Sequence, residues 1–474
     1  MYYSNTLKKR LISINICLAI ATFSQISHAE DAVESYTLLD AIKDGKPLTN
    51  FRLRYENVNQ EAYQPAPNAN KKLETADAFT LRSLIGWQTA PINNFSFAVQ
   101  ITDVHEFNHD FNDRRVNLSE PGKAKFANIV DPSYTDINQL YVDWTGIKNT
   151  KLRLGRQQLN LDNVRFIGDI GFRQNMQVFD GVTVLNKSIP DTEIFAAHFE
   201  QVRQINTELR QGNIDIVNAK YRISPSESLV AYGYFIDADN LGQNNGNPAA
   251  ASFVAQGGNG LGASQDAVKT ATTDASSKTF GVRLDGVRKM NDDWKVLYTA
   301  EYAKQDDYRG GNPLIDAHYF KLGGGAAYGA WALRIDHEKL SSNKGKYAFQ
   351  TPLGTNHLFQ GWADQFLATP RQGIQDTFVT FSGLVEKAKL QAEYHVFYSD
   401  KDFETLGSTA INRKFGDKYG TEFDVSVTYP LYDKLIGKLE YANFNESDVY
   451  GATLKGAARK GDKEIFWLTA MYTF

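Results

Sequence analysis

From residue 51 to the C-terminus the chain repeats one pattern: segments of ten to thirteen residues in which every second side chain is apolar or aromatic. Phe51, Leu53 and Tyr55 alternate with Arg52, Arg54 and Glu56, and Phe95, Phe97, Val99 and Ile101 alternate with Ser96, Ala98, Gln100 and Thr102. Late in the chain Phe423, Val425, Val427 and Tyr429 are interleaved with Glu422, Asp424, Ser426 and Thr428. Period two puts one set on each face of a β-strand. Strands of soluble sandwiches are usually about five or six residues long, whereas a tilted strand needs roughly nine to eleven to cross a bilayer. Aromatic residues gather at the ends of the apolar rows, as at Phe79 and Trp87 or Tyr419 and Tyr429, where an interfacial girdle belongs. The predicted fold is all-β, a transmembrane antiparallel barrel, because closing the sheet satisfies every backbone group in lipid. A soluble sandwich or solenoid is the alternative reading of the alternation, and the strand length disfavours it.

The connections alternate too. Short links fall near 90–94, 145–150, 188–192, 224–228, 290–293, 328–330, 386–387 and 430–433. Longer ones fall near 59–76, 108–133, 161–177, 206–212, 240–277, 306–315, 341–374, 400–417 and 445–462. Eight short turns and nine long loops imply 18 strands, an even number that leaves both termini on the periplasmic side. The last strand ends Phe466, Leu468, Ala470, Tyr472, Phe474 at every second place, which resembles the C-terminal signal read by the barrel-assembly machinery. The expected surroundings are outer-membrane lipid and lipopolysaccharide of a Gram-negative bacterium, with a monomer favoured.

Composition supports this. There are 24 Tyr, 29 Phe, 6 Trp and 36 Gly but only 13 Pro, a mixture suited to long strands. No stretch of 18 apolar residues offers a transmembrane helix. With 51 basic against 55 acidic residues the chain lacks the cationic surplus of a nucleic-acid binder. Residues 1–29 read as a secretory signal peptide: Lys8, Lys9 and Arg10, then an apolar run from Leu11 to Ile26, then Ser27-His28-Ala29. Residues 30–474 then form a single barrel domain with a net charge of −7, and Cys17, the one cysteine, falls in the removed segment.

If the apolar set faces lipid, the other set lines a lumen. Arg52, Arg54, Arg82, Arg153, Lys220, Arg222, Arg283, Lys295 and Arg334 are expected to point inward, as are Asp143, Asp285, Glu301, Asp336 and Glu393. Glu422, Asp424, Glu440 and Glu464 complete an acidic set on the last strands. Charges so arranged select ions and charged solutes; the plainer reading is a filled lumen in which ion pairs hold the wall. Two segments break the alternation. One runs from Leu154 through Arg156, Arg165 and Arg173 to Gly181; the other runs from Thr351 to Pro370. The second has few charges and carries Phe359, Trp362 and Phe366 beside Asp364, so it is expected to fold into the barrel mouth as a constriction loop.

Both segments resemble signatures of the alginate-export family of Gram-negative outer-membrane porins, over nearly the whole chain after residue 29. The resemblance implies an 18-stranded barrel with an arginine-bearing pore, and makes Arg153, Arg156, Arg165 and Arg173 candidate pore or loop cations for anionic solutes. It also implies a passive channel for small hydrophilic solutes, uronate-type saccharides among them. One departure stands out. The alginate exporter has an extended periplasmic turn late in its barrel, and the corresponding link here, Tyr429 to Lys434, is too short. Alginate is therefore not carried over as the solute.

Enzyme-like patterns are weak. His105-Glu106-Phe107-Asn108-His109 matches H-E-x-x-H, a motif that needs a helix to bring its histidines together. On a strand the two would lie about 13 Å apart. Gly258, Gly260 and Gly262 have no following helix to bind a dinucleotide. No cofactor, metal site or catalytic residue is expected; a barrel protease or lipase with loop-borne groups is the alternative to a channel.

Overall fold

The computed structural model describes residues 36–64, 68, 71–114, 123–237, 274–404, 415–451 and 461–474. The expected signal peptide, the glycines at 258–262 and most of the 240–277 loop lie outside the described residues.

The alternation becomes 18 antiparallel strands closed into a barrel. They are β1 (Asn50–Gln60), β2 (Ala76–Gln88), β3 (Phe95–Glu106), β4 (Tyr134–Trp144), β5 (Thr150–Gln157) and β6 (Val178–Asn186). There follow β7 (Thr192–Arg203), β8 (Leu209–Ser224), β9 (Glu227–Asp237), β10 (Ser277–Lys289), β11 (Trp294–Asp307) and β12 (Asp316–Tyr328). The last six are β13 (Trp331–Leu340), β14 (Ile374–Val385), β15 (Ala388–Glu404), β16 (Phe415–Tyr432), β17 (Leu435–Glu446) and β18 (Lys463–Thr473). Each strand pairs with its neighbours in sequence, and β1 pairs with β18 from Asn50↔Thr473 to Gln60↔Lys463, which closes the sheet. No strand edge is left to template pairing with another chain. The eight short and nine long connections fall where the sequence reading placed them.

Burial follows the alternation but is inverted relative to a soluble protein. Along β1 the buried residues are Arg52, Arg54, Glu56 and Val58. The apolar row between them faces outward, and Ile85, Leu154, Ile335 and Leu468 are half or more exposed. Such a belt is stable only against lipid. The buried apolar cluster lies inside the barrel: Phe166, Ile167, Leu353, Trp362 and Phe366 from two loops pack on inward residues of the wall such as Tyr232, Tyr319 and Phe397.

Three details depart from the sequence reading. Strand lengths run from 8 residues in β5 to 18 in β16, wider than ten to thirteen. Helix α1 (Leu38–Lys43) precedes the barrel, started by a capping box between Thr37 and Asp40 and tied to the wall by Trp87 Nε1 donating to the Ile42 carbonyl at 2.8 Å. Glu464, expected inward, points outward. On β18 the inward parity belongs to Ile465 and Trp467, so Glu464 shares the outward parity of Phe466, near the long-loop rim, where Tyr441 Oη donates to it at 2.8 Å.

Candidate functional site

Two long loops turn into the barrel and meet. The first, 158–177, follows β5; the second, 341–373, joins β13 to β14. Their backbones pair at Ile167↔Leu353: Gly168 N–H donates to the Leu353 carbonyl at 2.9 Å, and Thr355 N–H to the Val164 carbonyl at 2.9 Å. Gln177 Nε2 adds a bond to the same Leu353 carbonyl at 3.0 Å. A loop crossing a lumen must satisfy its own polar backbone, and this pairing does so between the two.

Arginines of the wall hold the first loop. Arg52 donates from Nε to Gln174 at 2.8 Å, from Nη1 to the Gly171 carbonyl at 2.7 Å, and from Nη2 to the Arg173 carbonyl. Arg54 donates to the Phe172 carbonyl at 2.7 Å and stands 4.4 Å from the centre of the Phe172 ring. Both point to the lumen side, as the alternation required, but their donors turn into the loop. Arg82 lies directly across from Arg52 in the β1–β2 register and reaches Asn50 Oδ1 at 2.7 Å, while its Nε and Nη1 are buried without a hydrogen bond.

The loop cations behave likewise. Arg173 bonds Glu56 at 3.1 Å and Asp364 at 3.0 Å, with Asp131 at 3.6 Å. Burial opposes its charge, but the three carboxylates outweigh that and raise its pKa above the ordinary guanidinium value. Asp364 also accepts from His357 at 2.8 Å. Its burial is likewise outweighed, by His357 and Arg173, which hold its pKa below the usual carboxylate range. Arg165 is buried against Glu338 at 2.9 Å and donates to Gln360 at 2.9 Å. Its guanidinium stands 4.6 Å from the Phe359 ring centre.

The remaining candidates are spread along the wall. Arg153 grips Asp143 at 2.6 and 2.8 Å and stacks on Tyr141; Arg156 grips Asp180 at 2.7 and 2.8 Å. Arg283 pairs with Asp285, and Arg334 with Asp336 at 2.8 Å. Arg222 keeps the inward parity of Asn218 but stands exposed at the short-turn rim, two residues before the strand ends at Ser224, so it is remote from the loops. The acids of the last strands seat the second loop: Ala363 N–H donates to Glu422 at 2.6 Å and Trp362 N–H to Asp424 at 3.3 Å. Gly361 has φ +80°, and a Cβ there would collide with the Glu422 carboxylate, so only glycine lets the loop come this close.

The loop segment around Asn356–Gln360 divides two cavities. The outer one, about 250 Å³, is bounded by Glu56, Arg173, His357, Asp364 and Lys463. The inner one, about 330 Å³, lies toward the short turns and is bounded by Arg283, Lys321, Arg334, Phe359, Glu393 and His395. Lys321 was not singled out from the sequence, although it shares the inward parity of Tyr319 on β12. The H-E-x-x-H motif ends β3: His105 is exposed and packs on Phe107, while Glu106 turns inward to buried Lys123 at 3.1 Å. The two histidines share no site.

Comparison with known proteins agrees with this architecture. The alginate-export family profile matches residues 49–460. No curated protein sequence matches the chain. Among solved structures, Pseudomonas aeruginosa OccK9 (OpdG) superposes with a TM-score of 0.61 at 12% identity, over 91% of this chain and 98% of that one. P. aeruginosa OpdK, solved with vanillate, gives 0.58 at 13% identity over 91% and 98%. Acinetobacter baumannii OccAB4 gives 0.59 at 12% identity over 90% and 97%. With the profile matched over most of its length and the barrel closed as these are, the chain belongs to the alginate-export family of outer-membrane β-barrel channels.

Proposed function

We propose that the channel passes small anionic solutes, organic acids or uronate-type saccharides, and that its selectivity is set in the inner cavity rather than by the first-strand arginines. The observation that carries this reading is Lys321. Its Nζ stands 5.6 Å from the Phe359 ring centre and 5.3 Å from that of Phe378, and it has no ion pair or hydrogen bond among the described residues. Arg283 and Arg334 flank it, each with a single carboxylate partner, so among the described residues Lys321 is the one Lys or Arg of the cavity lining without an ion pair, and it stands beside two aromatic faces. A carboxylate can pair with the ammonium while its apolar part lies on the rings, and weak contacts of that kind allow exit as well as entry. The vanillate held by OpdK is an anion of this kind. Arg52, Arg54, Arg165 and Arg173 serve instead to fix the constriction formed by Phe359, Trp362 and Asp364.

Reversal potentials in a salt gradient across planar bilayers test this. The wild type is expected to favour anions, and Lys321→Gln to bring the permeability ratio toward unity. Cation selectivity in the wild type, or an unchanged ratio in Lys321→Gln, overturns the reading.

A further inference from the structure

On the lumen face of β14 to β16, Asp376, Glu393, His395, Glu422 and Asp424 come together. Four carboxylates share a single imidazole: among the described residues no Lys or Arg forms an ion pair with any of them. Asp376, Glu422 and Asp424 are fully buried, and His395 is 2% exposed. Buried charges are ordinarily paired or bound to metal, and among the described residues His395 is the only basic side chain within ion-pair distance of any of the four.

The histidine is set as a metal ligand would be. Its Nδ1 is held by Asp376 at 2.9 Å, and its ring lies between Phe378 and Phe397, with centres 4.7 and 5.5 Å away. A carboxylate behind the ring fixes the tautomer and leaves the other nitrogen free to coordinate. That nitrogen, Nε2, faces Glu393 Oε2 at 3.4 Å and Asp424 Oδ2 at 3.6 Å, and one ligand atom from each of the three residues lies within 4.8 Å of the others. Two ligands each about 2.0–2.1 Å from a tetrahedral ion are separated by roughly 3.3–3.4 Å. The first spacing is long for a hydrogen bond and matches one edge of a coordination tetrahedron, and the second is slightly longer than such an edge. Independently of the three, the fully buried Glu422 lies within hydrogen-bonding reach of Asp424 and has an oxygen, Oε2, with no partner; Asp424 Oδ1 has none either.

We propose that His395, Glu393 and Asp424 bind a divalent transition-metal ion of the zinc class in the barrel lumen. The two carboxylate ligands match its charge, and Glu422 lies alongside Asp424. Glu393 and His395 also line the inner cavity, so the ion's fourth position opens toward the solute path. Because Asp424 and Glu422 accept the Trp362 and Ala363 amides, the ion also sits at the seat of the constriction loop. The mixed nitrogen and oxygen donors, few in number, favour zinc over calcium or magnesium, which take six or more oxygens.

The test is calorimetric titration of the tag-free barrel in detergent with ZnCl2, alongside the visible spectrum with CoCl2. One equivalent should bind, Co²⁺ should show the strong d–d bands of a four-coordinate site, and Zn²⁺ should displace it. His395→Gln and Glu393→Gln, each checked for heat-modifiable folding, should weaken Zn²⁺ binding at least tenfold, while His198→Gln leaves it unchanged. No stoichiometric Zn²⁺ binding by the wild type overturns the proposal whatever the variants do, as does undiminished binding by a folded His395→Gln or Glu393→Gln barrel.

Discussion

Arg173 and Asp364, 191 positions apart in sequence, meet at 3.0 Å inside the lumen and latch one inward loop to the other. Each has a second anchor, Arg173 on Glu56 of the wall and Asp364 on His357. The latch is buried, but Arg173 keeps Glu56 and Asp131 when Asp364 is removed, so the cost falls below the roughly 3–5 kcal/mol of leaving a buried charge wholly unpaired. Asp364→Asn should therefore loosen both loops, lower the urea midpoint in lipid and add flicker to single-channel records. An unchanged trace would mean that the backbone pairing at Ile167 and Leu353 suffices alone.

The same pair sets a pH expectation. A carboxyl held below its unfolded value stabilises the fold above roughly pH 3.9 and loses that contribution as pH falls through the lower folded value. The raised guanidinium keeps its share below its unfolded value and loses it only at still higher pH. The part of the flicker set by these two charges should therefore be constant between about pH 5 and 10 and should grow as pH falls below roughly 3.9. A conductance step near pH 6 would assign the gating to another group.

The lipid and lumen faces can be separated at adjacent residues. Val425 lies on the outward parity of β16 and Ser426, buried, on the inward one. Arginine at the bilayer midplane on the lipid face costs about 2–4 kcal/mol and much less on a wet face. Val425→Arg should be the more destabilised of the two in a urea titration. Gln100 is a poorer lumen control than the alternation suggests, because its amide donates to the Leu48 carbonyl at 2.6 Å and accepts from Asn138 and Gln139.

These faces, the strand count and the inward turn of the 341–373 loop were legible because lipid enforces a strict two-residue period and because Trp362 and Phe366 demand a place to pack. The partners of the arginines were not. Arg52 and Arg54 read as pore cations by parity, yet what they bond is main-chain carbonyl of a loop more than a hundred residues away, and a backbone acceptor leaves no mark in sequence. The carboxylate cluster was equally hidden: Glu393, His395 and Asp424 lie on neighbouring strands, and their approach depends on register, which alternation alone does not set. Lys321 was missed because one lysine on an inward row looks like any other until its neighbours are known.

Phe474 closes the outer aromatic row. Its ring meets Phe51 edge-on at 6.0 Å and Tyr472 at 5.0 Å, and its N–H donates to the Thr49 carbonyl at 3.2 Å across the seam. Phe474→Lys should reduce the amount of heat-modifiable protein in the outer membrane, because the closing strand loses both its aromatic contacts and the apolar C-terminal residue that the assembly machinery is expected to read. Normal yields would show that the seam closes on the β1–β18 ladder alone.

The first-strand arginines and Lys321 carry the same charge and differ in what they touch, so substitution separates holding the loop from selecting ions. Arg52→Gln with Arg54→Gln removes the donors to the Gly171, Phe172 and Arg173 carbonyls and leaves the buried Arg173 carbonyl short of a partner, at about 1–3 kcal/mol, and the two half-buried ones at less. That double variant should show broadened conductance levels and faster trypsin cleavage in the 158–177 loop, with a reversal potential close to wild type. Lys321→Gln removes a charge that has no ion-pair partner among the described residues and should do the opposite, shifting the reversal potential while the conductance levels stay sharp. Selectivity lost with Arg52 and Arg54 and retained without Lys321 would move the selective region from the inner cavity back to the β1–β2 wall.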